Sequence, residues 1–404
     1  MRENFISFTN ESLMPEEKIC TPVRDNNSLF IGIPRERGSF EKRLPLTPES
    51  VGLLASEGHH IIIESGAGES IHYPDVAFSE AGAEITDCLS YVWGADIVLK
   101  VAPPTPQEVM MMKPRATLIS LLQLSFLPNE SIEVMQERKI NAVAYELITD
   151  SHGFHPVISS ISEIEGRTAV VIAAELLTNL NGGKGILLGG CAGVTPTEIV
   201  IIGAGRAGRE AARTADALGA TVKVFDNNVE LLREVQRTLR QSIFTSNLHP
   251  NVLRNSLHSA DVVIGTLRFE NGERRFRVSE ELIRSMKKGA LLIDLSVDQG
   301  GCFETSVSPN TLSEAIFEKY GVTHFCVPNI SSRVARTTSI CLSNHFTPLL
   351  LRLAEFPSVA DYIRHQECFR YGVYVYNGKI VNKVVGEHFS LPWSDIALFL
   401  TTFQ

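Results

Sequence analysis

Residues Glu198–Asp226 read EIVIIGAGRAGREAARTADALGATVKVFD, and this stretch decides the fold. Glu198 to Ile202 has the near-continuous apolar character of a strand buried on both faces. Gly203-Ala204-Gly205-Arg206-Ala207-Gly208 follows, then a run of small residues that predicts a helix able to lie close on a sheet, then a second apolar run ending at Asp226. Strand, glycine turn, helix and strand in that order predict a complete βαβ unit.

Each glycine has its own mechanical task. Gly203 permits the tight turn, Gly205 lets backbone approach a pyrophosphate, and Gly208 allows close helix-on-strand contact. The helix N-terminus, entered at Arg206 and Ala207, offers amide donors to the anion. Asp226 follows at the spacing expected for a carboxylate that accepts the adenosine ribose hydroxyls, and its charge repels a 2′-phosphate. NAD is therefore the expected cofactor rather than NADP.

The composition is that of an ordinary globular protein: 404 residues, 44% hydrophobic and 21% charged, a length that predicts two or three domains. A net charge of −9 argues against nucleic acid or an anionic membrane as partner. No apolar run approaches the roughly 18 residues of a membrane span. The N-terminal MRENFISFTNESLMPEEK mixes charges into every candidate apolar core of a signal peptide, so a cytoplasmic location is expected. Seven cysteines, an odd count with no CxxC, predict reduced and mostly buried thiols rather than disulfides or a zinc site.

Residues 1 to 28 are polar, lack periodicity and read as an extension. From Leu29 the pattern is regular: strand Leu29 to Ile33, charged loop Pro34 to Arg43, a helix from Pro48, then strands at His59 to Glu64, Ala95 to Val101, Thr117 to Leu124 and Ile140 to Tyr145. Strands alternating with helices predict an α/β fold with doubly wound parallel sheets. A helical segment, Glu163 to Leu180, precedes Gly182-Gly183-Lys184-Gly185. This is read as a turn, because a P-loop needs Ser or Thr after its lysine. Strands at Asp261 to Gly265 and Ala290 to Asp294 extend the second sheet. A helix over Asn344 to Ala354, a hairpin turning at Asn377-Gly378 and a last helix capped near Ser394 complete the chain.

Open α/β sheets bind ligands at the C-terminal ends of their strands. This singles out Thr266, Leu267 and the run Asp294 to Gly301. Asp298 there is either a group handling charge or protons beside a nicotinamide or a turn-capping aspartate. The loop Pro34 to Arg43 reads mostly as a solvated face, with one arginine free to meet a substrate carboxylate through its planar fork.

Taken together, IGIPRE, EKRLPLTP, ESGAG, LKV, NGGKGILLGG, the GAGRAG unit and DQGGCFE resemble alanine dehydrogenase, which shares its fold with the NAD-binding subunit of proton-translocating transhydrogenase. The resemblance runs from Leu29 to the C-terminus. It implies two Rossmann-like domains with the active site in the cleft between them: a substrate domain of residues 29–156 plus 336–404, and an NAD-binding domain of residues 157–335. By the same resemblance Arg43 binds the substrate carboxylate and Asp298 is the catalytic-site aspartate. Ser162 contacts the cofactor pyrophosphate. Asn329 belongs to the segment closing over the nicotinamide, where Ile330-Ser331-Ser332 replaces a Met-Pro-Gly type continuation. A homohexamer is also implied.

Two positions depart from the family pattern. Ala102 stands where a lysine helps hold the substrate carboxylate, and Gln123 stands at the catalytic histidine. Glutamine can orient water or a carbonyl but exchanges no proton at neutral pH. His152 and His155, the nearest histidines in sequence, read as solvated loop residues. Three functions follow from this pattern. The first is an NAD-dependent amino-acid dehydrogenase acting on an amino acid/keto acid pair, with Gln123 orienting the reacting group. The second is a transhydrogenase NAD subunit, whose Arg-Ala-Gln loop Asp150 to Ser162 lacks and whose DQGG equivalent has no Asp. The third is a catalytically idle NAD-binding regulator.

Overall fold

The computed structural model describes residues 28–38, 40–239, 243–268, 276–307 and 315–401; the expected extension, Ser28 apart, lies outside them. Six strands come first: β1 Phe30–Ile33, β2 His60–Glu64, β3 Glu84–Thr86, β4 Ile97–Leu99, β5 Thr117–Ser120 and β6 Asn141–Ala144. Then follow β7 Glu198–Ile202, β8 Thr221–Phe225, β9 Phe244–Ser246, β10 Val262–Gly265, β11 Leu291–Asp294, β12 Ile316–Lys319 and β13 Val322–Cys326, and finally β14 Val373–Tyr376 and β15 Lys379–Ile380.

They form two sheets. One has eight strands in the order β15-β14-β6-β5-β4-β1-β2-β3, the other seven in the order β12-β13-β11-β10-β7-β8-β9. Pairing is parallel except at β6-β14, β14-β15 and β12-β13. The central strands are buried along their whole length, as helices on both faces require. Each sheet is doubly wound and reverses its strand order once, at β1/β4 in the first and at β7/β10 in the second. Ligand crevices of open α/β sheets form at such reversals.

Two long helices carry the chain between the sheets. The first, Pro156–Leu176, starts at a proline whose missing N–H costs a first turn nothing, and so begins before the expected Glu163. The return helix, Ala335–Ala354, begins nine residues before Asn344 (344 − 335). Its first half hides its periodicity because Thr338, Ser339 and Ser343 are buried to serve neighbouring loops. The Asn377-Gly378 turn has both residues at positive φ, 47° and 74°, as a two-residue hairpin loop demands. The last helix is capped next to Ser394 by Asp395, whose carboxylate accepts from Ala397 N at 2.8 Å.

The six described cysteines are unpaired. Only Cys302 and Cys326 are buried, while Cys88 and Cys191 are exposed, which corrects the expectation of mostly buried thiols. Among the described residues no helix is long and apolar enough to cross a membrane.

Candidate active site

The glycine turn behaves as its sequence requires. Gly203 has φ 112°, and a Cβ there would lie 2.5 Å from Thr266 Oγ1 and 2.8 Å from Leu267 N. The turn is thus pressed against the end of β10. Thr266 Oγ1 in turn donates to Gly203 O at 3.0 Å. A Cβ on Gly208 would stand 1.9 Å from Gly203 O, whereas one on Gly205 would meet nothing within 4 Å. Gly205 precedes the helix Arg206–Ala217, so open space lies over a helix N-terminus whose first amides have no intrahelical partner. Arg206 is exposed at this end and Ala207 half-buried. These features fit a dinucleotide pyrophosphate. Asp226 Oδ2 accepts from Ala204 N at 2.6 Å and its Oδ1 from Asn228 N at 2.8 Å, which aims the carboxylate and leaves each oxygen a second lone pair for ribose hydroxyls. On the Pro156–Leu176 helix, a Cβ at Gly166 would be 2.1 Å from Ala207 O, so this helix rides directly on the glycine turn. Ser162 stands one turn earlier on the same face.

Facing this cradle, the loop after β1 is not the uniform solvated face expected of its charges. Arg35, Arg37 and Lys42 are exposed, but Arg43 and Glu41 are only 3% and 5% exposed. Arg43 Nε and Nη2 donate to the two Glu41 oxygens at 2.8 and 2.7 Å, a bidentate fork. Burial pushes the Glu41 carboxyl up, but the guanidinium more than cancels this and holds it below the usual range. Arg43 Nη1 reaches Ser331 Oγ at 3.2 Å, and Asn329, held at φ 66°, donates through Nδ2 to Glu41 Oε2 at 2.7 Å. The segment after Cys326 therefore closes on the Arg43 loop. Three serines clip that loop: Ser332, Ser339 and Ser343 accept from Lys42 N, Leu44 N and Thr47 N at 2.8, 2.8 and 3.0 Å.

Asp298 lies in the 3₁₀ turn Val297–Gln299 beyond β11. Gln123, in the loop beyond β5, donates through Nε2 to Asp298 Oδ2, joining the two sheets across the cleft. Arg268, just past Leu267, approaches the same oxygen with Nη1 at 3.5 Å and Glu165 Oε2 with Nη2 at 4.0 Å. Glu165 Oε1 takes a 3.4 Å hydrogen bond from Ser331 Oγ. A run of polar contacts thus extends from Arg43 through Ser331, Glu165, Arg268 and Asp298 to Gln123. Asp298 Oδ1 is buried with no hydrogen-bond partner, an arrangement expected where a ligand donor belongs.

Ala102 exposes no replacement cation. The adjacent Lys100 is 3% exposed and paired with Glu36, whose other oxygen accepts from Val101 N at 2.7 Å and Ala102 N at 3.2 Å. Its charge is spent on holding the loop. Among the described residues no histidine hydrogen-bonds to the cluster: His152 is exposed, and His345 and His324 pair with Ser160 and Thr305. Sequence reasoning singled out Arg43, Asp298, Gln123 and Asn329, which the structure gathers. It missed Glu41, Glu165, Arg268 and Ser331. For Glu165 a signal existed: a carboxylate beside Gly166, on the helix face that carries Ile161 and Ala169 into the core.

Fold and site describe a dinucleotide-fold protein with a polar cluster closed between two α/β sheets. Residues 32–165 match the family described as "Alanine dehydrogenase/PNT, N-terminal domain" and residues 169–383 its C-terminal domain. Alanine dehydrogenase from Mycolicibacterium smegmatis is 35% identical over 373 residues, covering 92% of this chain and all of that protein. Alanine dehydrogenase 2 from Staphylococcus aureus is 34% identical over 368 residues, 91% of this chain and 98% of the relative. A solved L-alanine dehydrogenase superposes with TM-score 0.82 at 31% identity, covering 89% of this chain and 99% of its own. A transhydrogenase from Sinorhizobium meliloti superposes with TM-score 0.74 at 24% identity over 88% and 99%, a likeness of fold. The chain belongs to the alanine dehydrogenase/PNT family.

Proposed function

We propose that the protein is an NAD-dependent amino-acid dehydrogenase of the alanine dehydrogenase type, converting an L-amino acid, NAD and water to a 2-oxo acid, ammonium and NADH. The observation that carries the reading is the buried, unpartnered Asp298 Oδ1 in a cleft that Gln123 and Asp298 close from opposite sheets. Bound NAD supplies the hydride acceptor. Arg43, immobilised by Glu41, presents its remaining donors to the substrate carboxylate. Asp298 accepts a hydrogen bond from the amine and then from the attacking water. Gln123 fixes the Asp298 carboxylate and orients the reacting carbon's polar group. Gly203, Gly205, Arg206, Ala207, Gly208, Asp226, Leu267, Ser162 and Asn329 hold the cofactor.

The substrate domain in this reading is 29–156 with 336–404, and the nucleotide domain is 157–335. Leu180, Leu187 and Val194 are 92%, 71% and 58% exposed. Exposed apolar groups of this kind are available for self-association, and we assign the homohexamer that the family resemblance implies. The unpaired described cysteines support a cytoplasmic location.

The test is NADH formation from a panel of L-amino acids, with the reverse reaction from 2-oxo acids and ammonium. Asp298→Asn is expected to lower kcat by about 10²–10⁴. Tight NAD binding with no turnover of any amino acid would instead identify an idle nucleotide-binding regulator.

A further inference from the structure

Arg43 brings a substrate carboxylate hydrogen-bond donors but little net charge. Both oxygens of Glu41 are engaged by Arg43 at 2.7 to 2.8 Å, so the pair is electrically neutral and offers donors without net charge. Lys100, the next cation along the floor, is likewise neutralised by Glu36. Arg268 also faces carboxylates, Asp298 and Glu165, but is held less closely than Arg43 or Lys100. Its contacts to Asp298 and Glu165, at 3.5 and 4.0 Å, are long for charge-assisted bonds, which settle near 2.7–2.9 Å. Its side chain is 41% exposed, and Asp298 Oδ2 already accepts from Gln123. A guanidinium with five donors thus stands in the cleft with most of them uncommitted to any described residue.

Between the two arginines lies Glu165. Its Oε1 reaches the Arg43 side through Ser331 Oγ at 3.4 Å, and its Oε2 faces Arg268 at 4.0 Å. The carboxylate is only 8% exposed, yet it makes no hydrogen bond of ordinary length. An internal carboxylate therefore occupies the field of the two guanidiniums without forming a tight pair with either.

We propose that Arg268 is the second arm of the substrate-carboxylate clamp, and that Glu165 competes with the substrate for the two arginines. This rests on the dehydrogenase reading for its chemistry but not for its binding geometry. The substrate carboxylate lies between Arg43 and Arg268, one cation from each sheet, so the clamp is complete only when the cleft is closed. Ionised Glu165 opposes that binding and protonated Glu165 permits it. The charged groups around Glu165 are Arg268, Asp298 and Arg43; burial holds its proton more tightly than usual, with Arg268 opposing. Glu210, on the packed helix, is directed instead to Arg167 and Arg213.

The experiment measures binding of oxamate, an unreactive carboxylate isosteric with pyruvate, to the enzyme–NADH complex by quenching of NADH fluorescence, across pH, for wild type, Arg268→Ala, Arg268→Lys and Glu165→Gln. The oxamate dissociation constant should rise roughly 30-fold or more in Arg268→Ala, as for loss of one partner of a desolvated charge pair, with Arg268→Lys recovering part of it and NADH affinity unchanged. Wild-type affinity should weaken as pH rises, and Glu165→Gln should bind more tightly and lose that pH dependence. Equal oxamate affinity in wild type and Arg268→Ala overturns the clamp, and an unaltered pH dependence in Glu165→Gln overturns the competition. Oxamate binding that depends on Arg268, with no turnover of any amino acid, sustains the clamp while removing the dehydrogenase reading.

Discussion

Glu146 holds the loop that carries Gln123, its carboxylate accepting from Leu122 N at 3.1 Å. Burial pushes its proton affinity up to about 8, opposed by the backbone amides of Glu146 and Leu122. A carboxyl raised from 4.5 to about 8 on folding binds more protons folded than unfolded across that window, so its contribution to stability falls as pH rises through it. Glu146→Gln keeps the acceptor and removes the titration. The variant is expected to match wild type near the acid end of the window and exceed it in stability, by roughly a few kcal/mol, above the alkaline end. Thermal midpoints of both proteins across pH check this; parallel curves would remove Glu146 from the account. At the same scale, Lys100 shows how a cation close in sequence to a site is lost to it. Glu36 takes its charge, whereas Arg268, distant in sequence, remains loosely held.

At the scale of elements, the glycine turn separates packing from binding. Gly208 and Gly205 are two members of one motif with different surroundings: a Cβ on the first would strike Gly203 O at 1.9 Å, and one on the second would enter open space. Gly208→Ala is therefore expected to cost about 1–3 kcal/mol of stability as backbone is forced apart. Gly205→Ala should leave the unfolding midpoint unchanged while weakening NAD binding about tenfold or more, because its methyl occupies the pyrophosphate's approach. Calorimetric titration with NAD beside denaturant unfolding distinguishes the two; loss of stability in Gly205→Ala would refute the separation. The Pro156–Leu176 helix makes the same use of a missing side chain. Gly166 lets it touch Ala207 O, and the same rigid element carries Glu165 into the cleft.

At the scale of the molecule, both sheets direct the loops at the C-terminal ends of their strands into one cleft, and two crossing helices hold them there. The exposed Leu180 and Leu187 flank the turn between the crossing helix and β7. Placing Asp at both positions should shift the protein to a smaller assembly in light scattering after size exclusion, with folding and NAD affinity retained. An unchanged mass would move the interface elsewhere.

The sequence by itself determined the βαβ unit and the doubly wound sheets, because glycine turns and buried strands are local and their physics needs no distant partner; Arg43, Gln123 and Asn329 were reached only through the family resemblance, which also chose between the two roles left open for Asp298. The helix start at Ala335 was less legible, since the buried Ser339 and Ser343, which serve the Arg43 loop, break the apolar period. What only the tertiary structure decided was which charges cancel. Glu41 pairs with Arg43 within one loop, but Glu36 with Lys100, and Glu165 between Arg43 and Arg268, bring together residues far apart in the chain. An ion's function depends on what lies within a few ångströms of it, which the order of residues along the chain does not state.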